Sequence, residues 1–285
     1  MKVLVAPEAV LLDIDAWQKV MMGYLEHAAT RKDCFLIIDI PGGARARTGG
    51  NDDVVSGTPD GFRTRISGNS LEFGAAYYPW LTVTGTTPDM PKHSLPPSSA
   101  MAGIYARIDR TRGPHRAPAN TEIIGVSALA TDIDNAATQD LNAPPDGKAV
   151  NAIRAFAGRG ILPWGARTLN GNSPEWRYIS VRRMVMEVEH AISEGLATYQ
   201  HRPNAEPTWR AIEADIAAYL SDLWRQGALS GATQDEAFLL ALGLGQTMTP
   251  EDISAGILRV RVGLAVSRPA EFVVVSFAQE MIGAR

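Results

Sequence analysis

The sequence predicts an α/β fold of mixed α+β type, a βαβ core followed by a smaller α+β region. Three observations carry the prediction. A strand–helix–strand pattern fills the first 45 residues, which implies parallel neighbouring strands. Two long amphipathic helices follow residue 178. Three apolar segments close the chain. The change of character places a soft boundary near residue 165, giving regions 1–165 and 166–285.

"VLVAP" reads as the first strand. "DIDAWQKVMMGYLEHAATR" reads as a helix, with Ile14, Trp17, Met21, Leu25 and Ala28 on one stripe and Asp13 as its cap. "CFLIIDIPGG" is the second strand. Residues 41–69 hold seven glycines and read as a loop, with a short helix around Asp60–Ile66. "AAYYPWLTVTG" reads as a strand, with Pro79 arguing for an edge or a bulge. "TTPDMPKHSLPPSS" has four prolines and reads as an extended connector. "TEIIGVSALATDID" begins strand-like, and "VNAIRAFAGRGILPWGAR" reads as a hairpin on a glycine turn. "YISVRR" leads into a helix with Met184, Val185, Val188, Ile192 and Leu196 on one face. The next helix starts at Pro207 and stops at Gly227, burying Trp209, Ile212, Ile216, Tyr219, Leu220 and Leu223. "AFLLALGLG", "GILRVRVGLAVS" and "EFVVVSFAQEMIG" are the closing segments.

With 285 residues and 45% hydrophobics the chain can bury a core. Its net charge of −4 does not favour nucleic acid as an overall partner. A single cysteine, Cys34, excludes an internal disulfide and a cysteine-rich zinc site. The five histidines show no metal spacing, and Glu187 with His190 reads as a solvated pair. "GGARARTGG" lacks the Gly-Lys-Ser/Thr ending of a phosphate loop and reads as a flexible loop. No Gly-x-Ser-x-Gly elbow occurs. Asp39 ends an apolar strand, a position where α/β enzymes keep acids, and its favoured role is structural. No catalytic residue, cofactor or metal is expected.

"GIYARIDRTRGPHRAPAN", residues 103–120, sets Arg107, Arg110, Arg112 and Arg116 among prolines and glycines. Its arginines can fork onto carboxylates or carbonyls, Pro114 and Pro118 hold the path extended, and Asn120 can close a turn. A nucleic-acid loop is a distant second reading, since only Tyr105 offers stacking. A solvated charged loop is the plain alternative.

This stretch has company. "AAYYPWLTV", "PPSSAMAGIYARIDRTRGPHRAPAN", "LN" at 141–142, "VNAIRAFAGRGILPWGARTL", "WRYISVRR" and "RPAEFVVV" occur in this order. Together they resemble the tail sheath proteins of contractile phage tails and contractile injection systems. The resemblance is close over about residues 70–285 and looser before. It implies a subtilisin-like sheath domain over 1–165, a label of fold and not of protease activity. It implies a C-terminal sheath domain over 166–285, with a terminal linking strand at about 268–285. Family members usually carry an extended arm and further strands before the βαβ unit. This chain starts almost at a core strand, which reads as a shortened sheath protein, one of several paralogues or an incomplete product, with poor self-assembly expected.

The implied function is structural and not enzymatic: a subunit that polymerises helically around an inner tube and contracts to drive it through a target envelope. An α/β hydrolase and, less favoured, a nucleic-acid binder are the alternatives. The implied partners are other sheath subunits, the inner tube protein, and baseplate and tail terminator proteins, with no nucleic acid and no membrane insertion. The implied location is a phage tail or a cytoplasmically assembled injection particle.

Three residue sets are expected to matter. Tyr105, Arg107, Asp109, Arg112, Pro118, Asn120, Trp164 and Arg167 form a framework near a subunit contact. Arg210, Ala214, Ala218, Ser221 and Arg225 form a helix face toward the tube. Glu271, Phe272, Val273, Val274, Val275 and Phe277 form a closing strand with two apolar faces, for which an exposed edge is a liability; it inserts into its own sheet or is donated to a neighbour, and the resemblance favours donation.

Overall fold

The computed structural model describes residues 2–84, 92–266 and 273–280. Its contacts divide the chain into two compact units, residues 1–183 and 184–285.

The first unit is built on a five-stranded sheet. In chain order its elements are β1 (Lys2–Leu4), α1 (Ile14–Arg31), β2 (Cys34–Asp39), α2 (Phe62–Arg65), β3 (Gly74–Tyr78), β4 (Leu81–Val83), β5 (His93–Leu95), α3 (Ser98–Arg112), β6 (Ala128–Leu129), α4 (Asn135–Asn142), β7 (Val150–Phe156), β8 (Gly160–Pro163) and the start of α5 (Ile179–Ala197). The sheet order is β1-β2-β3-β7-β8. Its first four strands are parallel, and β8 returns antiparallel on β7 as the expected hairpin. β4, flanked by β5 and β6, makes a small antiparallel sheet.

The βαβ start forms as the pattern predicts. The Asp13 carboxylate caps α1 by accepting from the Ala16 N–H at 2.9 Å. Trp17, Met21, Leu25 and Ala28 are buried under the sheet, with Leu36, Ile38, Ala76, Tyr78 and Val150 in the same core. β2 and β3 are buried along their whole length, as parallel strands covered on both faces must be.

Three expectations change. β3 is a central strand and not an edge, because it ends at Tyr78 and Pro79 falls just beyond it. Most of the arginine-rich stretch is helical: α3 runs from Ser98 to Arg112, burying Met101, Ile104, Tyr105 and Ile108 every third or fourth residue. Only two residues of the 121–134 region form a strand, and α4 follows with Asp134 as its cap.

The 41–69 region, expected as a loop, is organised by hydrogen bonds around one carboxylate. Asp53 is buried at its centre. Its Oδ2 accepts from the Thr48 and Gly49 N–H groups at 3.0 and 2.9 Å, and its Oδ1 from Val55 and Ser56, both at 2.9 Å. Arg47 Nε adds 3.2 Å contacts to both oxygens. Arg47 and Arg63 also bridge to Asp140 on α4. Gly57 and Gly61 are dictated by close approach, since a Cβ at either would lie within 2.5 Å of backbone atoms.

The second unit comprises the remainder of α5, then α6 (Glu206–Arg225), α7 (Gln234–Ala237), β9 (Phe238–Leu242), α8 (Pro250–Ser254), β10 (Ile257–Leu264) and β11 (Val273–Glu280). The three strands form an antiparallel sheet, β11-β10-β9. Met184, Val185, Val188, Ile192 and Leu196 of α5 are buried, as are Ile212, Ile216 and Leu220 of α6. Trp209, Tyr219 and Leu223, expected in the same stripe, are half-buried at its flanks. Buried Asn204 ties the start of α6 to the sheet: its Nδ2 donates to Ile257 O at 3.2 Å, and its Oδ1 accepts from Trp209 Nε1 at 2.7 Å.

Candidate assembly surfaces

The predicted framework residues meet in the first unit, around α3 and the β7–β8 hairpin. At the start of α3, the Ser98 N–H donates to Asp39 Oδ1 at 2.8 Å, so the acid that ends β2 anchors a helix N-terminus. Burial pushes the Asp39 carboxyl up to about 6, against the opposing hydrogen bonds from Ser98. Further along, the Tyr105 hydroxyl lies 3.0 Å from that of Tyr77, both buried. The Arg183 guanidinium stacks 4.6 Å from the Tyr105 ring centroid and forks onto Asp109. Desolvation raises the Tyr105 phenol above its ordinary range, so it stays protonated.

Past the helix the chain follows the hairpin. Gly113, at φ 87°, ends α3. Pro118 is buried. Asn120, at φ 54°, donates its N–H to Pro163 O at 2.9 Å, and Ile123 does the same to Ile161 O at 2.9 Å. The outer edge of β8 is thereby paired. Arg107 Nη2 donates to Glu122 O at 2.6 Å, and Arg159 donates to the Asn120 side-chain oxygen.

Trp164 and Arg167 complete the framework through buried Asn151. That side chain accepts from the Arg167 N–H at 2.7 Å and donates to Arg167 O and Ala76 O at 2.8 and 3.1 Å. The Trp164 carbonyl accepts from Asn142 at 3.0 Å, which explains the "LN" at 141–142. Arg167 itself reaches Gly171 O at 3.2 Å and lies 5.8 Å from the Tyr178 ring. Arg112 does not join this framework: it is exposed at the end of α3, with no ion pair among the described residues. Asn151 and Arg183 escaped sequence reasoning, since a polar residue in a strand and an arginine in a helix carry no signal of their partners.

In the second unit α6 presents Ala214 and Ala218 to solvent, with Arg210 and Arg225 exposed beside them. Each arginine is already paired within the helix, Arg210 with Glu206 and Arg225 with Asp222. Ser221, expected on this open face, is buried. Its hydroxyl donates to Ala217 O at 2.6 Å and accepts from Gln234 Nε2, because the segment leading to α7 folds over the end of the helix. Trp224 Nε1 donates to Gly231 O at 3.0 Å in the same closure.

The last strand pairs within its own chain. β11 aligns with β10 from Leu264 opposite Val273 to Ile257 opposite Glu280. Glu271 and Phe272 lie outside the described residues. His190 faces Glu194 at 3.4 Å, an exposed pair on one helix. Among the described residues no group of three or more His, Cys, Asp or Glu is placed to hold a metal, and no helix is long and apolar enough to cross a membrane.

Residues 172–280 match the family model described as the phage tail sheath C-terminal domain. The chain is also similar to a solved chain of the anti-feeding prophage helical sheath in its contracted state, at 32% identity and a TM-score of 0.70, covering 92% of this chain and 66% of that one. With a chain of the six-fold symmetrised anti-feeding prophage baseplate it shares 32% identity at a TM-score of 0.74, over 99% of this chain and 69% of that one.

The chain belongs to the contractile tail sheath family.

A curated tail sheath protein of Vibrio phage KVP40 is 28% identical over 138 residues, 47% of this sheath chain and 20% of that protein. This sheath chain thus matches a fifth of the phage protein's length and about two thirds of the anti-feeding prophage chains. The likeness to the baseplate structure spans both units, so the βαβ core that the sequence ties only loosely to the family lies within the shared fold.

Proposed function

We propose that this protein is a structural subunit of a contractile sheath, polymerising helically around an inner tube and shortening to drive that tube through a target envelope. The observation that carries the reading is the 99% coverage by a solved contractile-system chain at 32% identity. The solved relatives are sheath and baseplate chains, which supports sheath copies and a baseplate as partners. The tube and terminator partners follow from the same reading, as does the absence of hydrolase activity.

Two surfaces fit the role. The exposed alanines of α6 permit close approach, and Arg210 and Arg225, held by intrahelical acids, can exchange those acids for acids on a tube. β11, an edge strand in its own sheet, can pair with a neighbour's β10 in the same register, an exchange of identical elements that leaves the bonding unchanged and links the subunits. Co-sedimentation with inner tubes tests the first surface. Ala218→Trp and Arg225→Glu, both at exposed positions, should release the subunit from tubes without unfolding it. Unchanged co-sedimentation of both variants contradicts the tube-facing assignment.

A further inference from the structure

The end of α3, the segment after it and the β7–β8 hairpin carry six arginines in one region of the first unit. Arg110, Arg112 and Arg116 are exposed. Arg107 and Arg159 are tied to the 120–123 segment through Glu122 O and the Asn120 side chain. Arg154 stands on the hairpin and donates to Asn135 Oδ1 at 2.7 Å. The backbone bonds from Asn120 and Ile123 to β8 hold these pieces together.

Among the described residues none of the six has a carboxylate partner, whereas Arg31, Arg47, Arg63, Arg65 and Arg183 of the same unit each have one. Beneath two of them lies an aromatic platform. The Phe156 and Trp164 ring centroids are 4.5 Å apart. Arg154 sits 5.5 Å from the Phe156 ring, and Arg159 lies 5.7 and 6.0 Å from the two rings. A guanidinium stacked this way is held in place while its edge keeps donors free for an incoming carboxylate. Trp164 is 38% exposed and Ile124 75%, so apolar surface borders the charge.

The chain supplies the complement itself. Residues 1–183 hold twenty Lys and Arg against eighteen Asp and Glu, and residues 184–285 hold seven against thirteen. The overall charge of −4 is therefore concentrated in the second unit. Glu213 on α6 and Asp235 on α7 are exposed there, with no ion pair among the described residues. We propose that the arginine and aromatic surface of α3 and the β7–β8 hairpin docks onto the acidic second unit of another copy of this chain. Such a contact joins different surfaces of identical subunits, so it can repeat from copy to copy, and it builds a helix where the rotation does not close a ring. It rests on the sheath reading and adds to it a contact steered by charge and sensitive to salt.

Sedimentation velocity of the full chain tests this, in about 20 mM and about 300 mM salt. The wild type should associate at low salt and at least tenfold more weakly at high salt. Replacing Arg110, Arg112 and Arg116 by Glu should weaken association at least tenfold at low salt, as should Glu213→Lys with Asp235→Lys. Combining the two sets in one chain should restore part of the loss. A second triple variant, with Gln in place of Glu, avoids placing acids at a helix C-terminus, and its circular dichroism should match the wild type. Association of either triple variant at wild-type strength overturns the proposal. So does a wild type that stays monomeric at low salt, or one whose association ignores salt. Binding of single-stranded DNA by these arginines, with association unaffected, overturns it in favour of nucleic acid. Triple variants that associate like the wild type and still coat tubes leave the sheath reading intact, while a wild type that coats no tube removes that reading itself.

Discussion

Arg183 grips Asp109 with both arms of its guanidinium, Nη1 to Oδ1 at 3.0 Å and Nη2 to Oδ2 at 2.5 Å. The Arg183 side chain is fully buried, and that of Asp109 is 28% exposed. The pair fastens α3 to the start of α5, and the Tyr105 ring supplies a second face for the cation. Removing the acid strands a buried charge, whereas removing the cation leaves an acid that water can reach.

Asp109→Ala should therefore destabilise the first unit by about 3 kcal/mol. Arg183→Met, which keeps the volume and removes the charge, should cost clearly less. Chemical denaturation of the two variants checks the order. A larger loss for Arg183→Met than for Asp109→Ala contradicts this account of the pair.

Asp39 gives a pH prediction of opposite sign to most carboxylates. Its folded value is raised from 3.8 to about 6, so the folded state holds the proton more tightly than the unfolded chain. Its contribution to stability is fully present below pH 4 and is lost as the pH rises through about 6. Asp39→Asn keeps an acceptor for the Ser98 N–H and removes the buried charge. It should raise the melting temperature at pH 7.5, by an amount corresponding to about 3 kcal/mol at most, and the gain should fade toward pH 4. A gain that is constant with pH contradicts the assignment.

Asp53 behaves the other way. Burial opposes its ionisation, but N–H groups of the 41–69 region, with Arg47, outweigh burial and hold the carboxyl well below its ordinary value. Its contribution is present above pH 4 and is lost as the pH falls below that. Asp53→Ala should cost about 3 kcal/mol and expose residues 41–69 to protease. Unchanged proteolysis there contradicts the role given to Asp53.

The last strand is tested by truncation. Removing residues 270–285 deletes β11, an edge strand of the second sheet. The remaining chain should keep a cooperative unfolding transition and lose the ability to form ordered polymers. If the truncated chain unfolds altogether, the strand belongs to its own core and is not a linker.

Where local pattern and burial agree, the sequence already reveals the fold. Trp17, Met21, Leu25 and Ala28 announce α1, and "CFLIID" announces a buried parallel strand. The hairpin of β7 and β8 follows from its glycine turn. α3 was hidden because the prolines before it and after it read as one extended path, while Met101, Ile104, Tyr105 and Ile108 between them have helical spacing. The ordering of residues 41–69 was hidden because it depends on one carboxylate collecting backbone donors from both sides, which composition does not display. Ser221 lay on the predicted open face by helical angle alone, and the segment from Gly231 to Gln234 covers it. Nothing in the sequence links Arg183 to Asp109, 74 residues apart.

The most direct test is electron cryomicroscopy of the purified full chain mixed with preformed inner tubes. The sheath account predicts a regular helical coat on the tubes, with β11 of each subunit against β10 of its own or a neighbouring chain. Bare tubes beside a monomeric protein would contradict it.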